Sequence, residues 1–334
     1  MENVDTVERK LIWWNKRSVK CQDLTPVLLL VFFLCGCAQK QYKEIRQGMG
    51  TLIEITVRAE EKEAKSAIEK AFKRIEEIEK ILSVYNPSSE VSILNRVGKI
   101  SPSTELMEVM KEAIYAGDMT EGAFDVTVAP VVSLWGFGPP ARNPGIPQEK
   151  EIKRALELVG YKNIVIDEKN NLIYFKKKGM QINLGGIAKG YAVDKAIEVL
   201  KKEGIKKAIV NAGGNLYAMG TTWRIGIKNP RREGILKIIN VKDRAVSTSG
   251  DYERFFIGFY AGKKKRFSHI FDPRTGYPAE GCISVTVIAP TGIMSDWLST
   301  GVFVLGPEKG LALLKKLKIK GIIVRPDMEI LEVK

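Results

Sequence analysis

The sequence predicts an α+β fold, with mixed or antiparallel sheets and packed helices, on three observations. Segments of helical and strand period are grouped rather than strictly alternating, which argues against a doubly wound parallel sheet. Apolar residues make up 45% of the 334 residues, the share of an ordinary globular protein, which excludes disorder and collagen. One His and four Cys, at positions 21, 35, 37 and 282 without paired CxxC spacing, leave no multi-His site and no zinc knuckle. Any metal chemistry has to use oxygen ligands.

Residues 1–37 read as an export signal. Arg9, Lys10, Lys16, Arg17 and Lys20 precede the apolar run 27–34, which is too short for the ~20 residues of a membrane span and suits a signal-peptide core. Leu34-Cys35-Gly36-Cys37 closes the run and resembles a bacterial lipobox, where cleavage falls just before a cysteine that carries a diacylglycerol thioether. Cys37 is then the expected lipidated N-terminus; read otherwise, the run is a buried strand with incidental cysteines. Residues 1–37 hold five of the 53 basic and four of the 39 acidic side chains, so of the formal charge of +14 the rest of the chain keeps +13. Such a charge suits phosphates or a membrane surface, and equally a well-solvated exterior. After cleavage before Cys37 only Cys282 accompanies it, so no internal disulfide is expected and the core must supply stability.

Residues 38–48 are polar and read as a tether to a domain over 49–334. Leu52-Ile53-Glu54-Ile55-Thr56-Val57 alternates as a half-buried strand. Over 61–82 the spacing changes to Ala64, Ile68, Phe72, Ile75, Ile78 and Leu82, one face of a long amphipathic helix. A second helix is predicted over 104–116, with Leu106, Val109, Met110, Ala113 and Ile114 inward. The Pro- and Gly-rich stretch 136–145 is a long loop, since globular elements resume on both sides. A helix over 149–159, strands at 163–166, 172–175 and 181–184, and a helix over 187–202 follow. Strands at 208–211, 223–228, 235–241, 255–260, 265–270 and 283–289 come next, with Gly-rich turns between them. Helices over 295–305 and 307–317 precede a last hairpin turning at Pro326-Asp327. No internal repeat is present.

Several Gly-rich polar turns follow strand ends. Asn183-Leu184-Gly185-Gly186-Ile187-Ala188-Lys189-Gly190 opens a helix, where free backbone N–H groups and Lys189 can meet a phosphate, although no Walker A or GxGxxG spacing is present. Asn211-Ala212-Gly213-Gly214-Asn215 and Ser247-Thr248-Ser249-Gly250-Asp251 are similar turns. Their glycines can equally serve only to supply positive φ. Asp296 and Thr300, four apart on a predicted helix, present oxygens on one face and suit Mg²⁺, which needs few protein ligands beside phosphates and water. They suit a helix cap and an ordinary hydroxyl as well. His269, the only imidazole, shares its turn with Ser268, Asp272 and Arg274 and is the one side chain that ordinarily titrates near neutrality.

In order along the chain, these motifs resemble the ApbE family of bacterial FAD:protein FMN transferases. They comprise Met49-Gly50-Thr51; Ser83-Val84-Tyr85-Asn86-Pro87 with Ser89-Glu90-Val91-Ser92 and Asn95; Thr120-Glu121-Gly122-Ala123-Phe124-Asp125-Val126-Thr127-Val128; and Leu134-Trp135-Gly136-Phe137-Gly138. The series continues with Leu184 to Gly190, Gly213-Gly214-Asn215, Thr248-Ser249-Gly250-Asp251-Tyr252, the run from His269 to Gly276, and Asp296 with Ser299-Thr300. The likeness spans nearly all of the chain beyond the signal and implies a T-fold-like ApbE architecture with an FAD cleft.

It further implies Mg²⁺-dependent cleavage of FAD, with FMN passing to a Ser or Thr of an exported acceptor protein and AMP released. Met49, Tyr85, Ala123, Phe124, Asp125, Asn183, Lys189 and Ile270 would contact FAD. The Gly186 carbonyl, Asp296 and Thr300 would hold Mg²⁺, and His269 and Asp296 would act in catalysis. Asn183 departs from the Asp of many members, and Ser295 and Trp297 replace alanines beside Asp296. A lipid-anchored enzyme on the outer face of the cytoplasmic membrane is implied, with acceptors among membrane electron-transfer complexes and no nucleic-acid partner. The family's acceptor motif places Ser-Gly-Ala before Ser or Thr; this chain has no such run, so self-flavinylation by that route is not expected. An FAD pyrophosphatase and a non-catalytic flavin-binding lipoprotein are the competing readings, and retention of Asp296, Thr300 and His269 argues against the latter.

Overall fold

The computed structural model describes residues 40–140 and 142–334; the segment 1–37, with Cys37, lies outside them. Its first element corrects the tether. Residues 41–48 form strand β1 (Gln41–Gly48), paired antiparallel along its whole length with β2 (Thr51–Arg58). The inward side of β1 is Tyr42, Glu44 and Arg46, and Arg46 lays its guanidinium 4.4 Å from the Phe72 ring centroid while pairing with Glu44 and Glu69. Long stems cover apolar surface while their charged heads stay wet, so this edge strand carries no apolar alternation to read.

Helix α1 (Glu61–Leu82) buries the predicted stripe. Two short elements follow, α2 (Glu90–Val97) and β3 (Lys99–Ile100). The Ser89 hydroxyl caps α2 by accepting from Ser92 N, and Gly98 ends it at φ +81°. Next come α3 (Thr104–Met119), α4 (Ala129–Leu134), α5 (Glu149–Leu156), β4 (Ile164–Asp167) and β5 (Leu172–Phe175). Residues 181–184 are not the predicted strand, because no neighbouring strand pairs with them: Asn95 accepts from Ile182 N at 2.7 Å and donates to Ile182 O at 2.9 Å, and Asn183 N donates to Val126 O at 2.7 Å. Then follow α6 (Ala188–Lys202), β6 (Ala208–Ala212), β7 (Asn215–Met219), β8 (Trp223–Lys228), β9 (Ile235–Val241) and β10 (Arg244–Gly250). The chain ends with β11 (Phe255–Tyr260), β12 (Lys263–Ser268), β13 (Ser284–Ala289), α7 (Gly292–Leu305), α8 (Pro307–Leu317), β14 (Lys320–Val324) and β15 (Ile330–Val333).

Eight strands form one antiparallel sheet in the order β1-β2-β6-β7-β10-β13-β14-β15. Strands β7 and β10 stand at its centre, although the sequence reads there as turns. β10 is full of hydroxyls, and the fold satisfies them sideways: Ser247 Oγ lies 2.7 Å from Ser295 Oγ on α7, and Thr248 Oγ1 2.8 Å from Thr286 Oγ1 on β13. One face of the sheet packs on α1, α6 and α7 through a core that includes Ile55, Val57, Ile75, Ala192, Trp297 and Phe303. The ribbon β8–β9 covers part of the other face through Ile225, Ile227, Ile239 and Val241. A second apolar cluster, Trp135, Phe137, Phe267 and Phe271, seats the 136–145 loop against the β11–β12 hairpin. Cys282 is buried with a free thiol pushed up to about 12 by that burial, and so is unreactive. Among the described residues no helix is long and apolar enough to cross a membrane.

Candidate active site

Helices α6 and α7 touch backbone to backbone. A Cβ at Gly190 would collide with the Gly292 carbonyl, and one at Gly292 with the Gly190 carbonyl. Each helix also sends a carboxylate to the other. Asp296 Oδ2 on α7 accepts from Gly190 N at 2.8 Å, while Asp194 on α6 accepts from Gly292 N at 2.6 Å and Ile293 N at 2.9 Å. Gly190→Ala is therefore expected to lose ~2–4 kcal/mol of stability and to fall in activity with it, read by thermal melting beside turnover. Melting at the wild-type temperature would show that the two helices tolerate separation.

This contact revises one expectation. The first-turn N–H groups of α6 are not left open to an anion, because those of Lys189 and Gly190 serve the Asp296 carboxylate. Gly185 N likewise donates to Asn183 Oδ1 at 2.8 Å. The cation offered to a phosphate is the Lys189 ammonium, itself resting on the Gly185 carbonyl at 3.0 Å. Asp296 is 3% exposed and has no ion pair among the described residues. Burial pushes its carboxyl up from the ordinary range, against the Lys189 charge, the two N–H donors and the Asn215 side chain. One turn on, Thr300 Oγ1 stands 3.2 Å from Ser249 Oγ, and a Cβ at Gly186 would sit 3.3 Å from that hydroxyl. Gly186 thus lies against Thr300, with Asp296 one turn before Thr300 on α7, at a junction of α6, α7 and β10. Their donors are one carboxylate, one hydroxyl and backbone carbonyl, a hard oxygen set that fits Mg²⁺. No cluster of three or more His, Cys, Asp or Glu suited to a metal occurs among the described residues, so water and phosphate oxygens would have to complete the shell.

His269 follows the last residue of β12. Its N–H donates to Arg254 O at 3.0 Å, and its Nδ1 lies 3.2 Å from the same carbonyl. A carbonyl only accepts, so Nδ1 carries the proton and Nε2 keeps its lone pair. The ring packs 6.4 Å from the Phe137 centroid and keeps part of its edge in solvent. Burial, then the Arg254 and Lys189 charges, push its pKa down to about 4. The imidazole is therefore neutral at pH 7, and Lys189 lies within electrostatic reach of both His269 and Asp296.

Arg254, which lies outside every motif above, donates through Nη2 to Phe137 O at 3.0 Å, and Tyr85 Oη donates to the same oxygen at 3.4 Å. Tyr85 is 61% exposed and free to present its ring. Phe124 is buried beneath Gly186 and against Trp297, 6.5 Å between centroids, and Ala123 and Ile270 are buried too, so these three shape the wall rather than offer an open stacking face. The Asp125 carboxylate accepts from Thr127 N at 2.7 Å, Thr127 Oγ1 at 2.6 Å and Tyr161 N at 2.9 Å, a local cap that leaves it few free lone pairs; burial raises its pKa against those donors. Met49 holds φ +51° in the two-residue β1–β2 turn, a left-handed conformation uncommon outside Gly. The residue after that turn, Thr51, lies against Gly213. That contact sets the Met49 turn beside Gly213-Gly214-Asn215, and Asn215 reaches Asp296. Asn183 also lines a cavity of about 340 Å³ with Val84, Asn95 and Pro139.

The sequence profile of the ApbE family matches residues 49–323. An FAD:protein FMN transferase of Vibrio cholerae is 35% identical over 261 residues, covering 75% of this chain and 76% of the relative. One of Haemophilus influenzae is 36% identical over 275 residues, covering 75% and 78%. The crystal structure of the ApbE protein of Thermotoga maritima superposes with a TM-score of 0.82 at 34% identity, covering 88% of this chain and 97% of that one. The flavin transferase ApbE of Vibrio cholerae gives 0.78 at 31%, covering 88% and 96%. With the matched profile, the shared fold and the oxygen site at the α6–α7 junction, the chain belongs to the ApbE family.

Proposed function

We propose that this flavin transferase moves FMN from FAD to a Ser or Thr hydroxyl of an exported acceptor protein, with Mg²⁺ as its metal and AMP as the second product. The observation that carries the reading is a buried carboxylate with no ion pair among the described residues, with Lys189 in electrostatic reach of both it and a neutral imidazole. Mg²⁺ held by Asp296, Thr300 and the Gly186 carbonyl would neutralise pyrophosphate oxygens and orient them for in-line displacement. Lys189 adds a second positive charge toward the same phosphates. Arg254 O fixes the His269 tautomer, so Nε2 is the atom that takes the acceptor's proton. The hydroxyl oxygen bonds the flavin-side phosphorus as its bond to the bridging oxygen breaks, and AMP leaves with that oxygen. Tyr85, exposed beside the Phe137 carbonyl, offers a face that suits a flat ring.

Water in place of the acceptor hydroxyl would make the protein an FAD pyrophosphatase. Following AMP with and without an acceptor separates the readings: transfer requires that AMP formation depend on the acceptor. AMP released equally in both reactions would favour hydrolysis, and none in either would leave only flavin binding.

Export and anchoring belong to the same proposal. A lipid on Cys37 would hold the domain at the outer face of the cytoplasmic membrane, beside acceptors in membrane electron-transfer complexes. Two or more acyl chains anchor stably where a single chain binds only marginally. Cys37→Ser is expected to leave the protein unprocessed or released from membranes, as read by fractionation and intact mass. Unchanged processing and attachment would refute the anchor.

A further inference from the structure

One end of the large sheet is crowded with cations. Strand β1 starts there at Gln41 and β2 ends there at Arg58, whose N–H donates to Lys207 O at 3.0 Å just before β6, while Ala59 N donates to Lys40 O at 3.3 Å. The β7–β8 turn is pressed against the same segment, since a Cβ at Gly220 would collide with the Lys206 carbonyl. Gly220 N in turn donates to Asp243 Oδ1 at 2.6 Å, and Arg244, opposite Ala218, opens β10. Lys40, Arg58, Lys206, Lys207, Lys242 and Arg244 are thereby gathered at one end of the strands, and none of the six forms an ion pair among the described residues. Against them stand Asp243, Glu60 and Glu61, the last already paired with Lys65, and Glu203 is paired with Lys70. Trp223 lies half-buried among these cations: Arg58 covers its ring at 4.9 Å, and its Nε1 donates to Met219 O at 3.2 Å.

Two features select what this end meets. Lysines and arginines around a tryptophan suit phospholipid headgroups, where each cation near the surface is attracted by anionic lipid and an indole with its N–H already bonded can rest at the interface. Cys37 precedes Gln41 by four residues, at most ~14 Å of extended chain, so a lipid on Cys37 brings this end of the sheet to the bilayer. We propose that the basic end of the sheet docks on the anionic phospholipid surface of the membrane, with Trp223 at headgroup level and the substrate site turned away from the lipid. Arg58 and Thr51 stand seven residues apart along β2, ~23 Å, and it is Thr51 that lies against Gly213 on the side of the site. The docking rests on the chain's own cations, and the orientation on the anchor proposed above. An acidic protein would satisfy the same charges, but the anchor would not bring it to them.

The test uses the full chain, extracted from membranes and reconstituted on vesicles of phosphatidylglycerol or phosphatidylcholine with brominated acyl chains. Trp135 and Trp297 are fully buried, and the quenching lost in Trp223→Phe is that of Trp223. Wild type should stay attached to both vesicles through its lipid, with Trp223 quenched only on phosphatidylglycerol and released from quenching by ~0.5 M salt. The triple variant Lys206→Glu/Lys242→Glu/Arg244→Glu alters only exposed side chains. It should lower the ratio of docked to undocked protein by ~100-fold or more and abolish the quenching. In detergent micelles it should still transfer FMN at the wild-type rate to a soluble acceptor domain carrying Ser-Gly-Ala-Thr. Equal quenching on the two lipids, or in wild type and variant, overturns the proposal. Trp223 unquenched on phosphatidylglycerol also overturns it and assigns the cations to an acidic protein, and slower transfer by the variant in micelles assigns them to the reaction. Protein that leaves phosphatidylcholine yet stays docked on phosphatidylglycerol refutes the anchor and upholds the docking.

Discussion

Asp296→Asn yields a folded protein that has lost FMN transfer by ~1,000-fold or more, since removing a metal's charged ligand forfeits several kcal/mol of transition-state stabilisation. The same variant should melt no lower than wild type. Burial raises the pKa of the carboxyl by penalising its charged form, and a neutral isostere still accepts from Gly190 N while escaping that penalty. Mg²⁺ should raise the melting temperature of wild type and not of the variant, a readout independent of turnover. Near-native transfer by Asp296→Asn at limiting Mg²⁺ would take α7 out of the mechanism.

His269→Asn should lower flavinylation by ~100- to 10,000-fold, the usual contribution of a positioned general base, with most FAD affinity retained. Asn keeps the size of the ring and a donor for the Arg254 carbonyl, but cannot take a proton near pH 7. The imidazole also marks stability. Its folded pKa of about 4 lies below the ordinary 6.5, so the folded state resists protonation; its contribution is full above about 6.5 and is lost as pH falls toward 4, by about 3 kcal/mol. The wild-type minus variant difference in unfolding free energy should therefore slope between those pH values and be flat above them. Transfer at the native rate by a well-folded His269→Asn would leave the base unassigned, with Asp272 the next to test.

Long periodic elements were legible from residues alone. The helix at Glu61–Leu82 and the strands at Trp223–Lys228, Ile235–Val241 and Phe255–Tyr260 lie where periodicity put them. What escaped reading had its burial supplied by unusual chemistry: Arg46 and Glu44 on an edge strand, and hydroxyls in β10 answered by α7 and β13. At the site, the spacing of Asp296 and Thr300 was visible, whereas the backbone contact that sets α6 on α7 depends on two glycines, Gly190 and Gly292, that no spacing marks. Arg254 and Asp194 carry no motif. The register of β11 with β12 would have placed Arg254 opposite His269, and only the α6–α7 contact reveals Asp194 at the start of α7.

The central claim is tested most directly by the intact mass of the Ser-Gly-Ala-Thr acceptor domain after incubation with the protein, FAD and Mg²⁺, with AMP measured in the same mixture. The account predicts one FMN, less one water, added per acceptor, an equal amount of AMP, and neither when Mg²⁺ is chelated. AMP accumulating while the acceptor keeps its unmodified mass would contradict it.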